Sequence, residues 1–131
     1  MERHSVADVL EAISDSRSLD IFCSIAKGSV RSEVLKRTKK LTKKQYYFRT
    51  KLLLKVGVVQ RIKGSFSLTN FGAVVYHAQL IIEAGVNNYW KLKAIDSIQS
   101  SGQIGEEERL KLVKTILNDN TIESILVKRT A

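Results

Sequence analysis

"LTKKQYYFRTKLLLKVGVVQRIKGSFSLTNFG", residues 41–72, decides how this chain is read. Thr42 stands three residues before Gln45. That is the spacing of a capping box, in which each side chain bonds the other's backbone N–H. A helix is therefore expected over Lys43–Val56. Gly57 stops it, because glycine tolerates the left-handed conformation that ends helices. The next run, residues 58–69, alternates Val58, Gln60 and Ile62 with Val59, Arg61 and Lys63, and then Phe66 with Ser67 and Leu68. Lys63-Gly64-Ser65 lies between the two halves as a turn, so the run predicts a β-hairpin. Thr69 or Asn70 then caps a further helix.

The same stretch holds no acid. Eleven of the chain's 22 Lys and Arg residues lie between Val34 and Ile82, and none of its 13 Asp and Glu residues does. That segment carries +11 and the rest of the chain −2, which together give the net +9. Solubilising surfaces mix both signs. A basic block on a folded pattern instead points to a polyanionic partner.

Helical phase sharpens this. At about 100° per residue, Thr50, Leu53 and Gly57 lie within about 40° of the Tyr46 direction, which makes that arc the core stripe. The opposite face collects Lys44, Phe48, Lys51 and Lys55, flanked by Gln45, Tyr47 and Leu52. Such a helix suits a DNA major groove lined by phosphates. Lys43, Lys44 and Gln45 occupy the first turn, where recognition helices touch base edges. Gln45 can bond adenine, but its capping role competes for the same side chain. Tyr47 can reach a phosphate or a sugar. Phe48 suits either thymine methyls or another protein surface. Arg49 and Lys51 complete the helix's candidates, Arg61, Lys63 and Ser65 are those of the hairpin, and Arg31 and Ser32 are weaker ones at the start of the preceding helix. The reading requires Lys44, Lys51 and Lys63 to share one side of the molecule.

Upstream, Val6, Val9, Leu10 and Ile13 recur at helical spacing. A second helix is expected over 18–27, with Leu19, Phe22, Cys23, Ile25 and Ala26 inward and Gly28 as its stop. Ser29 can cap a short third helix on which Val30, Val34 and Leu35 face inward. Downstream, one long helix is expected over 71–99, kinked or divided near Gly85 or Asn87–Asn88. Residues 100–105 are a linker, 106–117 are another amphipathic helix, and 121–127 are an element of open type. The chain divides on this reading into residues 1–80 and a helical extension, 81–131.

Two helices, a short turn and a hairpin make the winged helix-turn-helix plan, and here the sequence resembles a known group. Leu41-Thr42, then Leu53-Leu54-Lys55-Val56-Gly57-Val58-Val59, Arg61, Lys63-Gly64, Phe66 and Leu68-Thr69-Asn70-Phe71-Gly72 are similar to small winged helix-turn-helix transcriptional regulators. The arsenical-resistance and multiple-antibiotic-resistance groups are among them, and short archaeal members are nearest. The resemblance covers about residues 16–80. Thr50 departs from it, standing where the family has a buried aliphatic residue. The resemblance implies a mainly α fold with a small β-hairpin wing and additional C-terminal helices, and double-stranded DNA as partner. It also implies a homodimer, since family members commonly pair through flanking helices. Tyr89, Trp90, Leu92, Ile95 and Ile98 carry more apolar surface than a lone helix should expose. Either a second copy covers them, or Leu110, Leu112, Val113, Ile116 and Leu117 do so within the chain.

Other functional classes find little support. His4, His77 and Cys23 lack metal-ligand spacing. Glu106, Glu107 and Glu108 sit at a helix start and complement its dipole. There is no phosphate-cradling glycine loop and no nucleophile–base pattern, so neither an enzyme nor a cofactor is expected. No effector pocket is indicated. No apolar run approaches the roughly 18–20 residues that span a bilayer. The start, "MERHSVADVL", lacks the apolar core of a secretory signal. A single cysteine suits the cytoplasm. The alternative use of the same fold is as a protein-interaction module, motivated by Phe48 and Leu52. Double-stranded RNA is the weaker polyanion, because its major groove excludes a helix.

Overall fold

The structure is a computed structural model that describes residues 5–128, apart from the side chain of Thr38. Among the described residues the elements run α1 (Val6–Ala12), α2 (Ser16–Ala26), β1 (Val30–Arg31), α3 (Ser32–Thr38), α4 (Lys43–Val56), β2 (Val59–Ile62), β3 (Ser65–Leu68), α5 (Asn70–Asn87), α6 (Tyr89–Ser100), α7 (Glu106–Ile116) and α8 (Asn120–Lys128). They form two compact units, Met1–His77 and Ala78–Ala131.

The first unit has the winged helix-turn-helix fold. The capping box forms as the spacing predicts, with Gln45 N–H on the Thr42 hydroxyl and Thr42 N–H on Gln45 Oε1, both at 3.2 Å. Gly57 ends α4 in the left-handed region, at φ 83°. β2 and β3 pair antiparallel from Val59–Leu68 to Ile62–Ser65. That leaves a two-residue loop whose members, Lys63 and Gly64, both have positive φ (51° and 78°). This is the type I′ geometry that matches strand twist.

The sheet has a third strand beyond the expected hairpin. β1 is only two residues long, too short for any periodicity to show, and it pairs with β3 through Val30–Phe66 and Arg31–Ser65. The sheet order is β1-β3-β2. α3 consequently starts at Ser32, with Arg31 in the N-cap position, not Ser29. Ser29 instead donates its hydroxyl to the Phe66 carbonyl. The inward residue of α3 is Leu35, at 2% exposure, whereas Val34 is half exposed. On α1 likewise, Val9 and Ala12 are buried, and the expected Val6 and Leu10 face outward. Cys23 is half-buried.

The core of this unit gathers Ile21, Phe22, Ile25, Leu35, Tyr46, Leu53, Val58 and Phe66. Full burial of each large side chain contributes roughly 1.5–3 kcal/mol. The α4 stripe is as phased: Tyr46, Thr50 and Leu53 are all buried. Thr50 fits because its hydroxyl donates to the Tyr46 carbonyl one turn back, at 2.9 Å. Leu52, expected outside, packs against this core.

In the second unit, Ile95, Val113, Leu117 and Ile122 form a separate cluster, with Leu92, Ile116 and Leu126 against it. The expected long helix is divided: α5 ends at Asn87 and α6 begins after Asn88, whose amide donates to the Ala84 carbonyl. The last element is helical.

Candidate nucleic-acid interface

Three elements of the first unit meet at Ser32. Its N–H donates to the Gly64 carbonyl of the hairpin turn at 3.0 Å. Its carbonyl accepts from the Tyr46 hydroxyl at 3.1 Å, and its own hydroxyl lies 2.6 Å from the same phenol oxygen. The start of α3, the first turns of α4 and the wing are thus fixed to one residue. Burial pushes the Tyr46 phenol above its ordinary value, opposed by the Ser32 bond and the Arg61 charge. The phenol therefore stays neutral and serves as a rivet between helices.

This frame presents a continuous surface. One groove between α4 and the sheet is lined by Tyr47, Lys51, Leu54 and Arg61 above the buried Tyr46 and Phe66. A second shares Tyr47 and Arg61 with it, and adds Arg31, Lys36, Lys63 and Gly64 together with one acid, Glu33. The Arg61 guanidinium sits 5.6 Å from the Phe66 ring centre, and the Lys36 ammonium 5.8 Å from that of Tyr47. Both are cation–π distances, so the aromatic rings position the cations. Lys44 is exposed in the first turn of α4, about 20° in phase from Lys51. Lys44 therefore shares the outer arc of α4 with Lys51, which lines the first groove, while Lys63 lines the second. Lys43 and Lys55 are also exposed.

The basic block is not wholly unneutralised. Asp20 holds Lys39 at 3.0 Å, and Asp15 holds Arg49 at 3.4 Å; both bases are mostly buried, at 17% side-chain exposure. Both acids lie on or beside α2, outside the acid-free segment, so local sequence gave no sign of them. Among the described residues no other base of the segment has a carboxylate within salt-bridge distance.

The expected contact residues thus separate. Lys43, Lys44, Tyr47, Phe48, Lys51, Arg61 and Lys63 are exposed, as is Arg31. Ser65 is half-buried in β3, paired with Arg31. Three expected contacts are already engaged: Arg49 with Asp15, Ser32 with Tyr46, and Gln45 in the capping box. Lys36 lines the second groove and was not singled out from sequence. Its place beside Tyr47 depends on the α3–α4 crossing, which no local pattern encodes.

In the second unit, Trp90 is 79% exposed and stacks edge-on against the half-exposed Tyr89 at 5.2 Å. Ile95 is buried in this unit's own cluster, with Leu92 against it, and Ile98 is half-buried. These three are occupied, in whole or part, within the chain. His77 bonds the Ala73 carbonyl through Nδ1, and His4 lies outside the described residues. Among the described residues no three His, Cys, Asp or Glu side chains converge as a metal site, and no helix is long and apolar enough to cross a membrane.

No protein-family profile matches this chain, and no curated protein does. Among solved structures it is similar to an ArsR-like transcriptional regulator from Rhodococcus sp. RHA1, with a TM-score of 0.48 and 18% identity, over 70% of this chain and 90% of that one. The fold assignment rests on element order and strand register.

Proposed function

We propose that this chain is a sequence-specific, double-stranded DNA-binding transcriptional regulator of the cytoplasm. α4 enters the major groove, and the β2–β3 hairpin lies along the backbone or in the minor groove. The observation that carries this reading is the shared cationic surface: Lys51 and Arg61 line one groove and Arg61 and Lys63 the adjoining one, where Glu33 is the one acid of the lining and, among the described residues, pairs with none of these bases. Lys43, Lys44, Lys51, Arg61 and Lys63 serve phosphates, with Arg31 at the flank and Ser65 beside it. Tyr47 and Phe48 face the groove floor. Arg49, Ser32 and Gln45 hold the scaffold that aims them. The test is the triple replacement Lys43→Glu, Lys44→Glu, Lys51→Glu. All three side chains are exposed, so the helical circular-dichroism signal is retained while duplex binding is lost. Undiminished binding would refute the placement of α4.

Two copies are proposed to pair through the second unit, as suits a palindromic site. Ile82, Val86, Tyr89 and Trp90 support this, because all four are large apolar side chains left at least half exposed. Sedimentation would show a dimer that Trp90→Asp weakens. A monomer at tens of micromolar would count against it.

The competing use of the same fold is as a protein-docking module, favoured by the exposure of Phe48. It gains if the triple charge reversal leaves partner capture intact and Phe48→Ala abolishes it.

A further inference from the structure

We infer that α4 reads DNA through thymine methyl groups, with Phe48 as the specificity-determining side chain, and not through bidentate hydrogen bonds to base edges. This rests on the DNA-binding reading above and deepens it. Base identity in a major groove is read in two ways: by planar side chains that make paired hydrogen bonds, and by apolar contact with the thymine C5 methyl. α4 has only two planar side chains with the paired groups for such bonds, Gln45 and Arg49, since a tyrosine offers a single hydroxyl. Both are withdrawn. Gln45 Oε1 accepts from the Thr42 N–H, and the adenine pairing needs that oxygen together with the amide nitrogen. Arg49 lies on the core side of the helix against Asp15.

What remains on the outer arc is Lys44, Phe48, Lys51 and Lys55, within about 60° of one another. Three of the four are flexible point charges that serve a phosphate as readily as a guanine, and so discriminate weakly. The fourth is a phenyl ring, 62% exposed. It stands one turn from Lys44 and one turn from Lys51, so phosphate contacts by those lysines bring it against the groove floor. An aromatic ring amid three ammonium groups matches a partner that is anionic at its rim and apolar at its centre. The thymine face of a duplex major groove is such a surface.

The experiment titrates the full chain by fluorescence anisotropy against a short alternating dA–dT duplex. A second duplex has deoxyuridine in place of every thymidine, at the same salt. Uracil pairs as thymine does but lacks the methyl. The unsubstituted chain should bind the uracil duplex more weakly, by about fourfold for each methyl contacted, the worth of one buried methyl group. Phe48→Ala should bind both duplexes alike, and Phe48→Leu should keep most of the preference. Equal binding of both duplexes by the unsubstituted chain overturns the inference while leaving DNA binding intact. An equal uracil penalty in Phe48→Ala overturns the role of Phe48. Binding of neither duplex overturns the DNA-binding reading itself, and this inference with it.

Discussion

Ser32 and Tyr46 meet twice, phenol to carbonyl at 3.1 Å and hydroxyl to phenol at 2.6 Å, in a site where Tyr46 is 1% exposed. Tyr46→Phe removes the phenol partner of the buried Ser32 hydroxyl, and should lower unfolding free energy by about 1–3 kcal/mol in urea titration. The alkaline limb carries the same signature. Because burial raises the phenol's pKa, the folded chain keeps a proton that the unfolded chain releases. Stability that is present below about pH 10 is therefore lost as pH rises through the folded value. Tyr46→Phe should lack that component.

Gly72 stands where a Cβ would meet the Val58 carbonyl oxygen at 1.9 Å. The Thr69 hydroxyl donates to the Gly57 carbonyl and accepts from the Gly72 N–H at 2.9 Å. This knot joins the end of α4, the start of β2 and the start of α5, and it gives the Leu-Thr-x-x-Gly pattern a physical reason. Gly72→Ala must displace backbone, so it should destabilise by about 3 kcal/mol or more. Gly85→Ala, in open space within α5, should stabilise by up to ~1 kcal/mol. Thermal unfolding of the two variants checks the opposite signs.

Asp15 caps α2. Its carboxylate accepts from the Ser18 N–H at 2.8 Å and the Ser18 hydroxyl at 3.0 Å, and it faces Arg49. The Ser18 N–H bond chiefly holds its carboxyl below the ordinary value, helped by the Ser18 hydroxyl and Arg49 against a desolvation penalty. The folded chain therefore binds this proton less readily than the unfolded chain. The contribution is full above about pH 4 and is lost as pH falls through the folded value. Asp15→Ala should cost about 1 kcal/mol at neutral pH. Asp15→Asn should keep most of the cap and flatten the acid limb. The half-exposed ion pair adds less than ~1 kcal/mol.

The contrast between Gln45 and Arg49 shows what local sequence can carry. Thr42 and Gln45 are three residues apart, so their box is written in one helical turn; Gly57 and the Lys63-Gly64 turn are equally local. Asp15 lies 34 residues before Arg49, and nothing near Arg49 announces the pair. Helical phase fixes which residues share an arc, but the arc that faces the core is settled by neighbouring elements. Hence Leu35 is buried, not Val34, and Ile95 joins its own unit's core. β1 exists because β3 offers it an edge. The fold was legible because its punctuation is local, whereas the internal bonds of Arg49 to Asp15 and of Ser32 to Tyr46 were not, because those partners are distant in sequence.

Lys63 holds φ at 51°, a left-handed conformation that asparagine adopts more readily. Lys63→Asn should therefore stabilise the hairpin, by up to about 1 kcal/mol, while removing one phosphate contact. Melting temperature should rise, and the salt slope of DNA binding should become shallower by about 0.9. If both quantities stayed unchanged, the turn would be neither strained nor in contact.

A salt titration of binding to duplex DNA tests most directly whether the outer arc of α4 and the wing engage a duplex together. With roughly six to eight phosphates neutralised, log K should fall against log salt with a slope of about −5 to −7, weakening binding at least about a thousandfold between ~50 and ~200 mM. Tight binding with a slope near zero would contradict the account.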